Sequence, residues 1–322
     1  MPPALSQRDQ HMSPGADRHG RPENLHAVLD AACLRAGYPS GARLIRHFAN
    51  AVYLLDAVPV VARIGYGPGV VDKARTAISV TRWLLDQGFP ATAPTELPSG
   101  EDQPLVLGPA DTPTVVSFWH YYAQPEHTGW PDTGILGRLA AALHQVPDHP
   151  PSLPQYQPLR TLTSTVQAPA ARQALTDDEH TWLTRRIKEL RDEYDGLQFP
   201  LGHGLIHADL YTGNLLWNAG PHRAVLGDWD SVSIGPLEID LIPTYAETRF
   251  GVDPATVDAF THAYGHDLRH WPGYDTLYNI RELSTLTALI RLAPGNPRLR
   301  GELAHRLNTL SRADRSTRWQ GQ

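Results

Sequence analysis

Three polar residues in the second half of the chain carry a spacing that could do chemistry. His207, Asp209 and Asn214 form H-x-D-x-x-x-x-N within Leu205-Ile206-His207-Ala208-Asp209-Leu210-Tyr211-Thr212-Gly213-Asn214-Leu215-Leu216-Trp217. Farther on, Val225-Leu226-Gly227-Asp228-Trp229-Asp230 is an apolar run that ends in acid. Phosphoryl transfer needs such a set: a carboxylate that orients the acceptor hydroxyl, with an amide oxygen and a second carboxylate that hold magnesium on the phosphates. Asp209 is placed to take the hydroxyl's hydrogen bond and aim it at the γ-phosphorus, a task in which position counts for more than basicity. Asn214 offers a neutral oxygen that leaves the ion positive toward the phosphates. Asp228 would bridge the ion to the β- and γ-phosphates. His207, the other candidate catalytic residue, is expected to support the loop by hydrogen bonding and not to act as a base. Asp230 would project on the same side as Asp228 if the strand continued, which makes it a candidate substrate contact or else a solvated loop acid.

By composition the bare pattern would appear in about one such chain in forty, so its flanks decide. Leu205-Ile206 before it and Leu215-Leu216-Trp217 after it put the polar residues on a loop between buried segments, and Gly213 suits a tight turn. The plainer readings are a turn-capping aspartate and an ordinary turn asparagine. His203 and His207 lie four apart, but no third ligand pattern stands near enough to suggest zinc.

The elements that must position these residues fall into two sets. Helical spacing of Leu25, Val28, Leu29, Ala32 and Cys33 predicts a first helix, closed by Gly37 and Pro39. Strands are expected at Ala42 to Phe48, Val52 to Leu55, Val58 to Ile64, Leu105 to Leu107 and Thr114 to His120, with a helix over Val71 to Gln87. Beyond Tyr122 the pattern is mostly helical: a stripe from Ile135 to Val146, a proline-rich linker from Pro147 to Pro158, and a charged helix from Asp177 to Tyr194. Short strands are expected around Leu215 and Val225. Helices follow near Glu238 to Arg249, Pro254 to Tyr264, Tyr274 to Leu292 and Leu299 to Leu310.

The expected organisation is a tail over 1–21, a nucleotide-binding lobe over 22–121, a catalytic and substrate lobe over 122–314, and a second tail over 315–322. The fold class is α+β, with strands and helices segregated instead of alternating. At 322 residues with 41% hydrophobic residues the chain has ample material for such cores. A formal net charge of -6 argues against binding nucleic acid through phosphate neutralisation. A single cysteine excludes a disulfide framework or a cysteine metal site. No apolar run approaches the roughly 20 residues of a membrane span, and the first residues lack the apolar core of a signal peptide, so a cytoplasmic monomer or homodimer is expected.

The segments Leu205 to Trp217 and Leu226 to Leu241, the latter including Gly235-Pro236-Leu237-Glu238-Ile239-Asp240-Leu241, resemble the aminoglycoside phosphotransferase family. Weaker echoes are Leu139 to His144, and Trp83-Leu84-Leu85 with Gly88-Phe89-Pro90. The resemblance covers about Asn24 to Arg312 and implies a two-lobed protein-kinase-like fold, with an antiparallel-sheet lobe and a larger helical one. It also implies ATP or GTP as donor, Mg2+ as cofactor, and a small-molecule hydroxyl as acceptor. In this family's pattern Asp209 is catalytic, Asn214 and Asp228 bind the metal, and Asp240 anchors a helix start. Arg63 occupies the strand position of a phosphate-pairing lysine; its planar cationic fork suits phosphate oxygens. The helix glutamate that would pair it is missing, with Ala77 near that position and Asp72 a possible substitute. Ala49-Asn50-Ala51 replaces the glycine-rich loop, leaving Asn50 as a candidate phosphate contact, while Gly65, Gly67 and Gly69 read as a mobile turn. The adenine is expected against backbone near Phe118 to Tyr122. An aminoglycoside or other antibiotic is the first-choice acceptor, with Asp230, Glu238, Glu247 and Glu282 suited to a cation. The alternatives are a metabolic kinase acting on choline, homoserine, a sugar or a nucleoside, and a catalytically silent nucleotide-binding protein.

Overall fold

Asn24 starts the first helix by accepting the Ala27 N–H on its side chain at 3.0 Å, and Gly37 ends it in the left-handed conformation at φ 82°. The structure is a computed structural model that describes residues 24–47, 50–125, 132–150 and 152–320. The expected tail over 1–21 lies outside them. The chain divides into two compact units: one carries residues up to Ile78 and then Pro94–Tyr121, the other Ser79–Ala93 and Tyr122 onward. The division falls within the second helix instead of only at residue 121.

In the first unit, α1 (Leu25–Ala36) buries Val28, Leu29, Ala32, Cys33 and Ala36. Five antiparallel strands follow: β1 (Ala42–His47), β2 (Ala51–Leu55), β3 (Val60–Tyr66), β4 (Leu105–Leu107) and β5 (Thr114–His120), in the order β1-β2-β3-β5-β4. Alternation fixes the faces. Tyr53 and Leu55 of β2 and Val60, Ala62 and Ile64 of β3 point into a core shared with α1, which leaves Arg63 on the opposite face. Gly67 and Gly69, both at positive φ, make the turn into α2 (Val70–Asp86).

The second unit begins within α2 and holds two short antiparallel ladders and a set of helices. β6 (His203–Ile206) pairs with β9 (Ser233–Pro236), and β7 (Leu215–Asn218) with β8 (Arg223–Leu226). The helices are α3 (Thr133–His144), α4 (Arg160–Gln167), α5 (Asp177–Asp195), α6 (Ile242–Ala246), α7 (Pro254–Tyr264), α8 (Tyr274–Ser284), α9 (Leu286–Leu292) and α10 (Pro297–Ser311). α5 opens with a capping box: the Thr176 hydroxyl accepts the Glu179 N–H while the Glu179 carboxylate accepts the Thr176 N–H. α3 packs against α7 at Gly137, where a Cβ would lie 2.5 Å from the Phe260 carbonyl oxygen, so only glycine lets the two backbones meet.

Two expected helices are broken. Glu238 to Arg249 resolves into a 3-10 turn (Leu237–Asp240), α6 and a second 3-10 turn (Glu247–Phe250), because Pro243 cannot donate into a continuous helix from Glu238. Tyr274 to Leu292 divides at Thr285. There the Ser284 and Thr285 hydroxyls turn back onto the carbonyls of Ile280 and Glu282, both at 2.7 Å, which bends the chain. α4, β6 and β9 were not separately legible.

The expected tail over 315–322 is structured through Gln320. Trp319 is buried, its indole N–H donates to the Thr309 hydroxyl at 3.0 Å, and its backbone N–H donates to the Arg249 carbonyl at 2.7 Å. The Arg249 guanidinium lies 4.1 Å from the Trp319 ring centroid and that of Arg306 5.0 Å from it, so the ring separates two cations and draws favourable energy from both. Trp319→Ala is expected to destabilise the protein by about 3 kcal/mol or more, read as a lowered urea midpoint. An unchanged midpoint would show that the segment packs without contributing.

Candidate active site

The site is built around a fully buried carboxylate. Asp240 Oδ2 accepts the His207 backbone N–H at 2.8 Å and Oδ1 accepts the Ala208 N–H at 2.6 Å. Ala208 itself takes the left-handed conformation at φ 61°, so the chain turns sharply just after the two amides that the carboxylate holds. That conformation costs an alanine roughly 1–2 kcal/mol; two hydrogen bonds to an ionised group offset it. His144, on α3, donates from Nε2 to Asp240 Oδ2 at 3.1 Å, and its Nδ1 meets the Tyr264 hydroxyl of α7 at 2.8 Å. Three elements thus converge on the start of the catalytic loop.

His207 is sealed from solvent. Its Nε2 donates to the Gly227 carbonyl at 2.9 Å, and its ring lies edge-on to Trp229 at 4.7 Å between centroids. With that proton committed to a carbonyl, the His207 ring joins the loop to the segment that carries Asp228. Gly227 closes the link from its other side, donating its N–H to the Asn214 carbonyl at 2.9 Å. One glycine therefore ties the first loop at two points to the segment carrying Asp228. Asn214 is buried, and its amide N–H donates to the Asp209 carbonyl at 2.9 Å, which leaves the amide oxygen outside the loop's own hydrogen bonding. Asp228 is half-buried and left-handed, at φ 62° and ψ 60°.

Asp209 is partly exposed, and Arg281 of α8 places Nη1 2.7 Å from its Oδ1. Glu247 stands in the same cluster: its Oε1 accepts the Thr212 hydroxyl at 2.9 Å, while Oε2 is buried without a hydrogen-bond partner. Burial pushes the Glu247 carboxyl up and Asp209 adds to the rise, against the pull of the Thr212 hydrogen bonds and of Arg281. Sequence reasoning missed Arg281. Its only signal is membership of a helix whose rotation about its axis no local pattern fixes.

Two candidate substrate acids lie in settings that differ from those expected. Glu282 is buried, with its Oε1 2.7 Å from Arg249 Nε in a close ion pair not aligned as a hydrogen bond. Burial raises this carboxyl and Arg249 draws it back, so Glu282 belongs to the interior. Asp230 does not continue a strand from Asp228, since β8 ends at Leu226 and Asp230 lies half-buried in the 3-10 turn Trp229–Ser231. Glu238, fully buried, accepts the Leu201 N–H at 2.8 Å.

The first unit holds the remaining candidates. Arg63 stands on β3 between Val52 of β2 and Ser117 of β5. Asn50 precedes β2, its side-chain oxygen 3.3 Å from where a Cβ on Gly65 would be. Ala77 is buried in α2 and Asp72 is exposed in that helix's first turn. Phe118 and Trp119 are buried on β5, and in the second unit the Tyr122 hydroxyl accepts the Ala93 N–H at 3.1 Å.

Residues 42–277 match the model of the phosphotransferase enzyme family, APH. The chain belongs to that family. It is a phosphotransferase that acts on hydroxyl groups. No curated protein matches its sequence. Among solved structures, a microcompartment-associated aminopropanol kinase superposes with a TM-score of 0.68 at 18% identity, covering 91% of this chain and 99% of that one. An amicoumacin kinase solved with AMP-PNP and Ca2+ gives 0.66 at 16%, covering 90% and 94%. A spectinomycin phosphotransferase solved with ADP and spectinomycin gives 0.58 at 16%, covering 91% and 95%. These likenesses establish the kinase-like fold, with its five-stranded antiparallel sheet and mostly helical second part.

The raised Glu247 carboxyl makes a pH prediction for this phosphotransferase. Its folded form binds the proton more tightly than the unfolded chain, so its contribution to stability grows as pH falls through the folded value toward the ordinary carboxylate range. Glu282, raised in the same direction, acts in the same window. Glu247→Gln is therefore expected to melt higher than the parent at pH 7.5, with the difference narrowing toward pH 4.5. Thermal melts of both proteins across that range check it, and a variant that melts lower at pH 7.5 contradicts it.

Proposed function

We propose that the phosphotransferase moves the γ-phosphate of ATP or GTP to a hydroxyl of a small molecule, with Asp209 orienting the acceptor and Asn214 and Asp228 holding Mg2+. The observation that carries this reading is the double tie through Gly227, which keeps the two polar segments in one fixed arrangement. Asp209 Oδ1 is engaged by Arg281, which leaves Oδ2 as the oxygen to meet the acceptor hydroxyl. The Asn214 amide is held by its N–H, so its oxygen is the atom to meet an ion. Among the described residues no cluster of three His, Cys, Asp or Glu is gathered for a metal. An ion at Asn214 and Asp228 would complete its shell with phosphate and water, as magnesium commonly does. When bound, it neutralises charge on the phosphates. Arg63 and Asn50 are the proposed phosphate contacts of the first unit.

The structural neighbours support both acceptor classes expected from sequence: antibiotics, through the amicoumacin and spectinomycin enzymes, and metabolic alcohols, through the aminopropanol kinase. One observation favours the metabolic reading over a polycationic aminoglycoside. Of the acids suited to a cation, Glu238 and Glu282 are buried on internal partners and Glu247 is turned to Thr212. No helix among the described residues is long and apolar enough to cross a membrane, and we place the enzyme in the cytoplasm as a monomer or homodimer.

Mass spectrometry of a panel of antibiotics and metabolic alcohols incubated with ATP or GTP and Mg2+ tests the reading. Asp209→Ala is expected to lower transfer about a thousandfold while magnesium–nucleotide binding persists. Asp228→Ala is expected to lose the magnesium dependence of that binding. Full turnover in the first variant, or unchanged binding in the second, would remove the assigned role.

A further inference from the structure

Arg281 is a cation set against the one carboxylate that must face the acceptor, and the transfer reaction by itself does not use it. Its Nη1 lies 2.7 Å from Asp209 Oδ1, and no second hydrogen-bond acceptor engages the guanidinium among the described residues. The side chain is partly exposed, at 27%. A guanidinium carries five N–H donors in a planar fork matched to a carboxylate or phosphate edge. One donor on Asp209 leaves the others available for a group bound beside it.

The charges facing this guanidinium are few. Asp209 comes from the catalytic loop and Glu247 from the turn after α6, while Thr212, which holds Glu247, is neutral. Glu247 is directed to Thr212 through Oε1, and no hydrogen bond joins it to the guanidinium. Glu282, the next residue on α8, is turned to Arg249 and does not compensate. An ammonium group next to the reacting hydroxyl would meet a fixed cation whose one direct counter-charge among the described residues is Asp209 itself, and like charges across a binding surface select against a ligand.

Resting on the kinase reading, we propose that Arg281 is a specificity-determining residue, and that the acceptor carries an oxyanion of the carboxylate class beside the hydroxyl that is phosphorylated. Arg281 holds Asp209 through Oδ1 and the acceptor's oxyanion through its remaining donors. The hydroxyl is thereby placed against Asp209 Oδ2. In the transfer itself the hydroxyl oxygen forms the new bond to the γ-phosphorus, the bond from that phosphorus to the bridging oxygen breaks, the nucleoside diphosphate leaves, and the hydroxyl proton passes to Asp209 and then to solvent.

Two matched sets of probes test this on the full chain with Mg2+ and ATP: lactate, propane-1,2-diol and 1-aminopropan-2-ol; and gluconate, glucose and glucosamine. Each set varies the charge beside a hydroxyl. The oxyanion member is expected to have a kcat/KM about tenfold or more above its neutral and ammonium counterparts. Arg281→Gln should raise KM for the oxyanion member about 10- to 100-fold and change kcat little, with Arg281→Lys recovering part of the loss. The ammonium members leading both sets would overturn the proposal. So would an Arg281→Gln that lowers kcat equally for every member at unchanged KM, because the guanidinium would then serve the transferring phosphoryl group and not the acceptor. Where no probe is turned over, thermal-shift titration of the nucleotide-loaded chain decides: stabilisation by lactate or gluconate that disappears in Arg281→Gln supports the proposal, and none by either overturns it. Failure of the kinase reading itself is seen separately, as an Asp209→Asn enzyme that keeps full activity on whichever compound proves to be phosphorylated.

Discussion

The buried Asp240 carboxylate is the constraint on which the second unit's chemistry depends. Taking an ionised carboxylate out of water costs several kcal/mol unless it is fully hydrogen-bonded. Here the cost is met by the His207 and Ala208 amides and by His144. Both amides precede the Ala208 Cα, where the chain turns left-handed, so the carboxylate fixes the backbone just before the step that leads to Asp209. The α3–α7 packing enforced by Gly137 brings His144 and Tyr264 to the same carboxylate. Helix packing and loop geometry are thus solved together.

Gly227 extends this order to the second polar segment. Its carbonyl is taken by His207 and its N–H by Asn214, so the residue before Asp228 cannot move without disturbing the catalytic loop. His207 is buried with Nδ1 unpartnered, and its Nε2 bond joins the position of the loop to that glycine. These ties offset the strain of a left-handed Asp228. For phosphoryl transfer, where catalysis is mostly positioning, the rigidity of this framework matters more than any unusual acidity within it.

Much of this was legible because it is local. The H-x-D-x-x-x-x-N spacing, the apolar flanks and the Gly-Asp step each concern residues close in sequence, and β2 and most of β3 alternate as half-buried strands must. What was illegible depends on the rotation of a helix or on a distant partner. Arg281 and Glu282 are adjacent on α8, yet about 100° around a helix separates them, enough to send one to Asp209 and the other to buried Arg249. Asp230 failed for a different reason: the expected alternation required a strand that stops at Leu226. Trp319 was read as part of a tail because its partners, Arg249, Arg306 and Thr309, come from other elements and no periodic pattern surrounds it.

The ties that hold the two polar loops are separate from the contacts around the Asp209 carboxylate, and this bears on how such a scaffold could change its acceptor. The loops that would hold phosphate and metal are fixed by backbone amides on the Asp240 carboxylate, by the His207 ring on the Gly227 carbonyl and by the Gly227 N–H on the Asn214 carbonyl. The acceptor side of Asp209 is set by side chains alone, Arg281 from α8 and Glu247 with Thr212. A change on α8 can therefore alter the charge that greets an acceptor without loosening the framework beneath. The buried Arg249–Glu282 pair, one residue along the same helix, ties α8 to the interior and is braced by Trp319. On the proposed reading, specificity would reside in side chains that the loop ties do not depend on for their shape.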